Sequence, residues 1–138
     1  MILAIGLIVV FFLLSLIHFY WAMGGQWGMD ASLPTNEQGV RVLNPKRTDS
    51  VIVGIALAFF SLFYLLKSGT IEHQIPSWII SVGQWTVPGI FLLRAIGDFK
   101  YVGFFRKIKS TKFGKMDTMF FTPLCFLLAL FGLLIAIQ

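Results

Sequence analysis

Residues 2–23 of the chain read ILAIGLIVVFFLLSLIHFYWAM and contain no charged side chain. A helix needs roughly 20 apolar residues to cross about 30 Å of hydrocarbon, so this segment is long enough to span a bilayer. A cleaved signal peptide would have basic residues before a shorter apolar run and an A-x-A site after it, and this segment has neither. We therefore predict a retained membrane-spanning helix.

Three more apolar segments follow, at residues 51–67, 77–97 and 118–137. Helices are expected because lipid offers no partner to an unpaired backbone group, and the segments are too long for barrel strands. Apolar residues make up 57% of the chain and charged residues only 12%, too few charges to cover a soluble protein of this size. The sequence predicts a single integral membrane domain, residues 1–138, that is all-α and forms a four-transmembrane-helix bundle.

Basic residues are concentrated in two of the three connections between the predicted spans. Nine of the 11 Lys and Arg residues fall in segments 24–50 and 98–117, while only Lys67 borders the connection between the second and third spans. Short connections rich in Lys and Arg remain in the cytoplasm. We expect these two segments to be cytoplasmic loops and both termini to lie outside the cytoplasm. The expected location is the plasma membrane, with several passes.

The loop 98–117 combines its basic residues with five aromatic side chains between Phe99 and Phe113. Such a segment can lie at the depth of the lipid headgroups, with its rings buried and its cations facing anionic lipid. An ordinary cytoplasmic loop would explain the charges but not the rings. The residues predicted to form this lipid interface are Phe104, Phe105, Arg106, Lys107 and Lys109. Neither interpretation requires a nucleic-acid partner.

Small residues at spacings of three and four predict which helix faces meet. Helices in lipid associate through close packing and hydrogen bonds, so such faces are expected to point inward. They comprise Ser15, His18, Ala22 and Gly25 on the first span, Gly54, Ala58 and Ser61 on the second, and Thr118, Thr122, Cys125, Ala129, Gly132 and Ala136 on the fourth. The short second connection also predicts that the second and third helices are antiparallel neighbours.

Several polar and aromatic residues are expected together at the cytoplasmic end of the bundle. The first helix ends there with His18 and Trp21, the third with Arg94 and Asp98, and the fourth begins there with Asp117. Ionisable groups at membrane depth are energetically costly and usually face the bundle interior. The sequence thus predicts a polar pocket whose candidate ligand-binding residues are His18, Trp21, Trp27, Arg94 and Asp98.

Each of these residues also has a simpler interpretation. Arg94 and Asp98 are four residues apart and could form an ion pair that closes the helix end. His18 could be a core histidine satisfied by a neighbouring hydroxyl or backbone group. Trp21 and Trp27 could belong to the aromatic belt at the membrane surface. Only their expected convergence at one end of the bundle favours a binding site.

Four segments of the sequence carry a family resemblance: HFYWAMGGQWG at 18–28, LPT at 33–35, RAIGDFKYVGFF at 94–105 and TPLC at 122–125. In these motifs the chain resembles an uncharacterised bacterial family of small four-helix integral membrane proteins, classed as a domain of unknown function. The similarity extends through nearly the whole chain. It implies the four-span fold, and it implies no activity, substrate or catalytic residue.

The sequence gives no indication of a metal or a cofactor. The single cysteine, Cys125, excludes an intramolecular disulfide and a cysteine-based metal cage. His18 and His73 are expected on opposite sides of the membrane, so they cannot share a metal. The glycine-rich segment 24–28 follows a helix and therefore lacks the strand–loop–helix setting of a phosphate-binding loop.

Three classes of function remain open. The first, which we favour, is binding of an anionic amphiphile or lipid headgroup in the polar pocket, with membrane lipids and a small amphiphile as partners. The second is a structural or accessory membrane subunit whose polar cluster only locks the bundle. The third is a membrane-embedded enzyme with His18 as acid or base and Asp98 orienting it. A wide pore would require a homo-oligomer, because four helices are too few to line one.

Overall fold

Helices account for all the regular structure of the chain. The computed structural model describes every residue from Met1 to Gln138. Its elements in chain order are α1 (Ile2–Ala22), α2 (Met29–Ser32), α3 (Arg47–Lys67), α4 (Ser77–Ile96), α5 (Lys112–Met116), a π-helical turn (Asp117–Phe121) and α6 (Thr122–Ala136). The last three are continuous, so 4 helices are long and apolar enough to cross a membrane. The predicted all-α bundle is confirmed, and the chain is a multi-pass membrane protein.

Two of the long helices begin earlier than the apolar segments indicated. Helix α3 begins at Arg47, where the side chain of Asp49 accepts a hydrogen bond of 2.7 Å from the backbone N–H of Lys46. The fourth long helix begins at Lys112, and the Thr111 hydroxyl accepts a hydrogen bond from the Gly114 N–H. Both starts are polar caps that satisfy free N–H groups, and a hydropathy pattern alone does not detect such caps.

Helices α1 and α3 pack closely through small residues and serine hydroxyls. The Ser15 hydroxyl donates to the carbonyl of Gly54 at 2.7 Å, and the Ser61 hydroxyl donates to the carbonyl of Ile8 at 2.9 Å. All three small residues are buried, so the predicted faces are confirmed at these positions, whereas Ala58 is exposed. The interface is neutral and depends on close approach of two backbones.

Helices α4 and α6 pack closely where Gly132 faces Pro88. A Cβ atom added to Gly132 would lie 2.7 Å from the Tyr64 hydroxyl oxygen and 3.0 Å from Cγ of Pro88. Thr122, Ala129 and Gly132 of the predicted small face are buried. Helix α4 continues from Ser77 to Ile96 on both sides of its proline.

Aromatic rings fill the centre of the bundle between these two close-packed pairs. Phe11 of α1 is 0% exposed. Its ring centroid lies 5.8 Å from that of Phe60, 5.9 Å from that of Tyr64 and 5.2 Å from that of Phe91. Phe11 therefore contacts both α3 and α4, and these two helices approach each other less closely than α1 approaches α3 or α4 approaches α6.

The connection between α1 and α3 and the connection between α4 and α5 lie at the same end of the bundle. Helix α2 packs against α5 there. A polar cavity of about 360 Å³ between the two connections is lined by residues such as Thr35, Arg41 and Ser110. We call this the basic end, because segments 24–50 and 98–117 contain nine of the 11 Lys and Arg residues.

Candidate functional site

We attribute the π-helical turn at the start of the fourth long helix to one proline. Pro123 has no N–H to donate, and in a regular α-helix its ring would clash with the carbonyl of Met119. The chain instead forms a wider turn, in which the N–H of Thr122 donates to the carbonyl of Asp117. Turns of this kind often occur at functional sites. The turn places Asp117 on the buried face of the helix, and the residue is 0% exposed.

The wider turn also explains why Thr118 does not share the buried small face. Residues four apart align in an α-helix, but residues five apart align in a π-helical turn. Asp117, and not Thr118, therefore shares a face with Thr122. Thr118 is exposed, and its hydroxyl donates to the carbonyl of Gly114 at 2.9 Å.

The carboxylate of Asp117 accepts three hydrogen bonds, one from the end of α4 and two from the loop that follows it. Oδ1 accepts from Nη2 of Arg94 at 2.9 Å. Oδ2 accepts from the backbone N–H of Gly103 at 2.8 Å and from Nη1 of Arg106 at 3.3 Å. One buried carboxylate thus joins the end of α4, the loop that follows it and the start of the fourth long helix.

Arg106 is buried inside this loop and does not face lipid as predicted. The residue is 4% exposed. Its Nη1 donates to the carbonyl of Gly103 at 2.6 Å, and its Nη2 donates to the carbonyl of Gly114 at 2.8 Å. The physical reason is the planar fork of five donors, which can serve a carboxylate and two carbonyls together, whereas a lysine presents a strongly hydrated point charge.

Two glycines allow the loop to fold back against the end of α4. Gly97 has φ 82° and Gly103 has φ 91°, in the left-handed region that favours glycine. A Cβ atom on Gly97 would lie 1.8 Å from the carbonyl oxygen of Val102, and one on Gly103 would lie 2.4 Å from that of Ile96. No side chain fits at either position, which explains the two glycines in the segment RAIGDFKYVGFF.

Asp98 lies in the loop that follows α4, and its carboxylate binds the backbone of that loop and not Arg94. Helix α4 ends at Ile96. Oδ1 of Asp98 accepts from the backbone N–H groups of Lys100 at 3.0 Å, Tyr101 at 2.8 Å and Val102 at 3.0 Å. Partial burial alone raises the pKa of Asp98, but these three N–H donors outweigh it and hold the pKa below its usual value.

The ion pair between Arg94 and Asp98 that their spacing allowed does not form, and the partner of Arg94 is Asp117. Aspartate competes for backbone N–H groups in turns, and the left-handed glycine that ends α4 turns Asp98 toward them. The side chain of Arg94 is 32% exposed. Its Nη1 is buried and has no hydrogen-bond partner. We call Arg94, Arg106 and Asp117 the charged cluster.

The cluster contains two guanidinium groups and one carboxylate, so it carries one uncompensated positive charge. Arg106 is enclosed, with its side chain 3% exposed, and its two terminal nitrogens are both hydrogen-bonded. Arg94 is the member whose side chain is partly exposed, at 32%, although its Nη1 atom is buried. The arrangement therefore contains one partly exposed cation with unused donors.

His18, Trp21 and Trp27 form a second group, which we call the aromatic group. Nδ1 of His18 lies 2.7 Å from the carbonyl of Leu14. Because a carbonyl can only accept, we assign the proton to Nδ1, which leaves Nε2 free. The centroids of the His18 and Trp21 rings are 5.0 Å apart. Nε1 of Trp21 donates to the carbonyl of Trp27 at 2.8 Å, and Trp27 is 75% exposed.

The structure places the predicted site residues in separate groups. No hydrogen bond, salt bridge or ring contact joins the aromatic group to the charged cluster, and Asp98 belongs to neither. The polar cavity of about 360 Å³ at the basic end contains none of the five predicted residues in its lining. No group of three or more His, Cys, Asp or Glu side chains is placed to hold a metal ion.

The remaining lipid-interface candidates lie on the outside of the loop. Phe104 is 51% exposed and Phe105 is 62% exposed, and Lys107 and Lys109 are exposed as well. The ring centroid of Phe105 lies 6.0 Å from that of Phe99, so two rings form an outward-facing apolar surface. Rings and cations thus share the outer side of the loop.

The sequence pattern does not identify two residues of the charged cluster. It places Asp117 at the start of the fourth helix without a role in ligand binding, and it predicts that Arg106 faces lipid. Pro123 near the start of an apolar segment was a signal for an irregular turn, and the glycines six residues apart were a signal for a close backbone approach. Neither signal indicates which side chains would meet.

One comparison with known proteins gives a match. A sequence model for a family described as "Protein of unknown function (DUF3995)" matches residues 11–132. No curated protein and no solved structure matches the chain. The matched range includes the whole charged cluster and the whole aromatic group, and the predicted resemblance to a family classed as a domain of unknown function is confirmed.

Proposed function

Because the chain belongs to the DUF3995 family, whose description gives no activity, we propose its function from the charged cluster. This small multi-pass membrane protein binds an anionic amphiphile or a lipid headgroup at Arg94. The observation that carries the proposal is the charge imbalance of the cluster, in which two guanidinium groups share one buried carboxylate.

An uncompensated charge at membrane depth is costly unless an opposite charge or water approaches it. Asp117 cannot compensate both arginines, because it carries one charge. An anion bound at Arg94 would bring the cluster to neutrality. The bound anion would thus supply the negative charge that a second carboxylate would otherwise supply.

Arg94 has the chemistry required for such a ligand. Its Nη2 is held by Asp117 at 2.9 Å, which fixes the plane of the guanidinium. Its Nη1 is buried without a partner, and a phosphate or carboxylate that displaces the groups covering it would receive two hydrogen bonds. Leu92 and Leu93 on the same helix are exposed and would contact the apolar part of an amphiphile. We assign the anion to Arg94 and not to His18, whose recorded hydrogen bond stays within α1.

In this proposal the basic end faces the cytoplasmic leaflet of the plasma membrane and both termini lie on the other side. The concentration of Lys and Arg at one end supports this orientation. Phe104 and Phe105 lie at headgroup depth, while Lys107 and Lys109 raise the local concentration of anionic lipid. Membrane lipids are thus both the surroundings and the source of the ligand.

The test compares bound lipid on two variants with the same change in charge. Arg94→Gln removes the accessible cation, and Lys115→Gln removes an exposed cation at the same end that has no part in the cluster. Each protein is exchanged into phosphatidylcholine nanodiscs containing phosphatidylglycerol, and bound lipid is counted by native mass spectrometry. We expect Arg94→Gln to weaken phosphatidylglycerol binding about tenfold or more, since hydrogen bonds between charged groups contribute ~1.5–3 kcal/mol.

Lys115→Gln should retain the wild-type level of bound phosphatidylglycerol. Equal retention by Arg94→Gln would refute the proposal, provided that its melting temperature shows a folded protein. Arg94→Lys gives an independent measurement, because it keeps the charge and loses the planar fork. An intermediate affinity for Arg94→Lys is expected.

A structural or accessory role is the second candidate, and it has an observation in its favour. Asp117 accepts three hydrogen bonds and Arg106 donates to two carbonyls, so the cluster also fastens the loop to two helices. If this were the whole function, Arg94→Gln would change stability and leave lipid binding unchanged. An enzymatic role has no comparable support, since no ionisable side chain is hydrogen-bonded to His18.

A further inference from the structure

We propose that the anion bound at Arg94 carries a single negative charge shared by two terminal oxygens, as in a phosphodiester headgroup. This inference rests on the proposed function and deepens it. It states which anions the site accepts and which it discriminates against.

The charge of the cluster favours a monoanion. Arg106 is committed to Gly103, Gly114 and Asp117, and its side chain is 3% exposed, so it is not available to a ligand. The ligand therefore meets Arg94, whose Nη2 donates to Asp117 at 2.9 Å. One negative charge neutralises the cluster. A second negative charge would have no remaining cation in the cluster to offset the cost of removing it from water beside the 0% exposed Asp117 carboxylate.

The unpartnered terminal nitrogen of Arg94 is compatible with the same class of ligand. Nη1 of Arg94 is the terminal nitrogen without a partner, and it carries two N–H groups. A phosphodiester has two terminal oxygens and one charge. A phosphomonoester has three terminal oxygens and, above neutral pH, nearly two charges. The second charge would have no further cation inside the cluster to compensate it, because Arg106 is enclosed.

The neighbouring lysines do not change this preference. Lys100, Lys107 and Lys109 are exposed, so their charges are screened by water and salt over about 10 Å. Such charges attract all anions to the surface and discriminate weakly among them. Selection by charge therefore falls to Arg94 and the buried Asp117.

A fatty-acid carboxylate has the same chemistry, namely one charge on two oxygens. The shared requirement is a monoanion with two terminal oxygens, whichever amphiphile supplies it. A soluble phosphodiester without acyl chains, such as glycerophosphoglycerol, meets this requirement too. Competition among the three identifies the source.

The experiment uses wild-type protein in phosphatidylcholine nanodiscs containing equal amounts of phosphatidylglycerol and phosphatidate. Native mass spectrometry measures the ratio of the two bound lipids at pH 8 and at pH 5. Phosphatidate has close to two charges at the higher pH and close to one at the lower, since the second pKa of a phosphomonoester is about 6. Phosphatidylglycerol has one charge at both.

We expect phosphatidylglycerol to be preferred about fivefold or more at pH 8, because the cluster has no cation left to compensate a second charge removed from water. The preference should shrink toward equal binding at pH 5. Phosphatidate bound as well as or better than phosphatidylglycerol at pH 8 would overturn the inference and leave the proposed function intact. Absence of any Arg94-dependent enrichment of either lipid over phosphatidylcholine would instead defeat the proposed function itself.

Two further measurements sharpen the result. Asp117→Asn raises the cluster charge by one, so the folded variant should shift its preference toward phosphatidate at pH 8, and an unchanged ratio would contradict the role given to Asp117. If this variant does not fold, the ratio of the two lipids bound to wild-type protein at pH 8 and pH 5 tests the preference for a monoanion. Displacement of phosphatidylglycerol by oleate or by glycerophosphoglycerol would support the two-oxygen monoanion and identify its source.

Discussion

The interface between α1 and α3 and the charged cluster at the basic end are held together in opposite ways. The first is neutral, uses small residues and serine hydroxyls, and lets two backbones approach closely. The second joins one buried carboxylate to two guanidinium groups and a backbone N–H across a folded loop. Many weak contacts together stabilise the interface between α1 and α3, whereas Asp117 alone connects every part of the charged cluster.

The difference implies that the two regions respond differently to a single substitution. Removing one hydroxyl from the helix interface leaves the surrounding packing in place. Removing the carboxylate from the cluster leaves two cations facing each other without an anion. Asp117 should therefore be the most sensitive position in the molecule, although it lies at the edge of the bundle.

The largest effect is expected for Asp117→Ala. Breaking a buried ion pair by removing one partner typically costs ~3–5 kcal/mol, because a charge is left uncompensated. The free energy of unfolding would be measured by titration with SDS in mixed micelles. Asp30→Ala is the matched control, since Asp30 pairs with Arg41 at the surface and exposed pairs contribute ~0–1 kcal/mol. Similar losses of unfolding free energy for both variants would show that the buried ion pair of the cluster contributes no more than a surface pair.

The next effect is expected for Gly132→Leu, which tests the close-packed spans. A Cβ atom at this position already meets the Tyr64 hydroxyl at 2.7 Å, so a larger side chain must separate α4 from α6. Overpacking of this kind typically destabilises by ~1–3 kcal/mol. Gly89→Leu is the control, because nothing lies within 4 Å of a Cβ added there. An unchanged melting temperature for Gly132→Leu in detergent would show that this face is not tightly packed.

The spans were accessible from sequence because their signals are local. Apolar length defines each helix, and small residues at spacings of three and four mark positions such as Ser15, Gly54 and Gly132. Each of these positions could be assigned from residues within two or three turns of the same segment. The hydropathy pattern misplaced only the helix ends, where polar caps take over.

The charged cluster was not accessible in the same way because its contacts are distant in sequence. Arg94 and Asp117 are 23 residues apart, and Arg106 and Asp117 are 11 apart. The local pattern instead favoured Arg94 with Asp98 at helical spacing. The choice of carboxylate for Arg94 depends on two glycines with positive φ and on a π-helical turn. A rule based on α-helical spacing takes no account of these features. The same limitation explains why Arg106 was assigned to lipid with its basic neighbours.

A smaller effect is expected for Ser15→Ala. The variant removes the hydrogen bond to the carbonyl of Gly54 and keeps the small side chain, so the helices can remain close. Hydrogen bonds between membrane helices contribute ~0.6 kcal/mol on average, and a loss of that order is expected. Ser81→Ala on the exposed side of α4 should have no effect. A loss as large as that for Asp117→Ala would mean that the neutral interface also depends on a single residue.

The smallest effect concerns Asp98 and depends on pH. Three backbone N–H donors hold the pKa of this carboxyl below its usual value of 3.8 in the folded protein. A group whose pKa is lowered by folding stabilises the protein above the unfolded pKa, and this stabilisation is lost as the pH falls through the folded pKa. Because Asp98 is exposed and screened by water, the contribution should be below ~1 kcal/mol.

Comparison of wild type with Asp98→Asn isolates this contribution, since asparagine can accept hydrogen bonds and does not titrate. The difference in unfolding free energy between the two proteins should be constant from pH 7 to about pH 5 and should shrink as the pH falls below the usual aspartate pKa of ~3.9. A difference that grows on acidification would mean that the loop prefers the protonated carboxyl. That result would contradict the three N–H contacts. It would mean that the negative charge of Asp98, like that of Asp117, is costly to the folded protein unless a donor or cation compensates it.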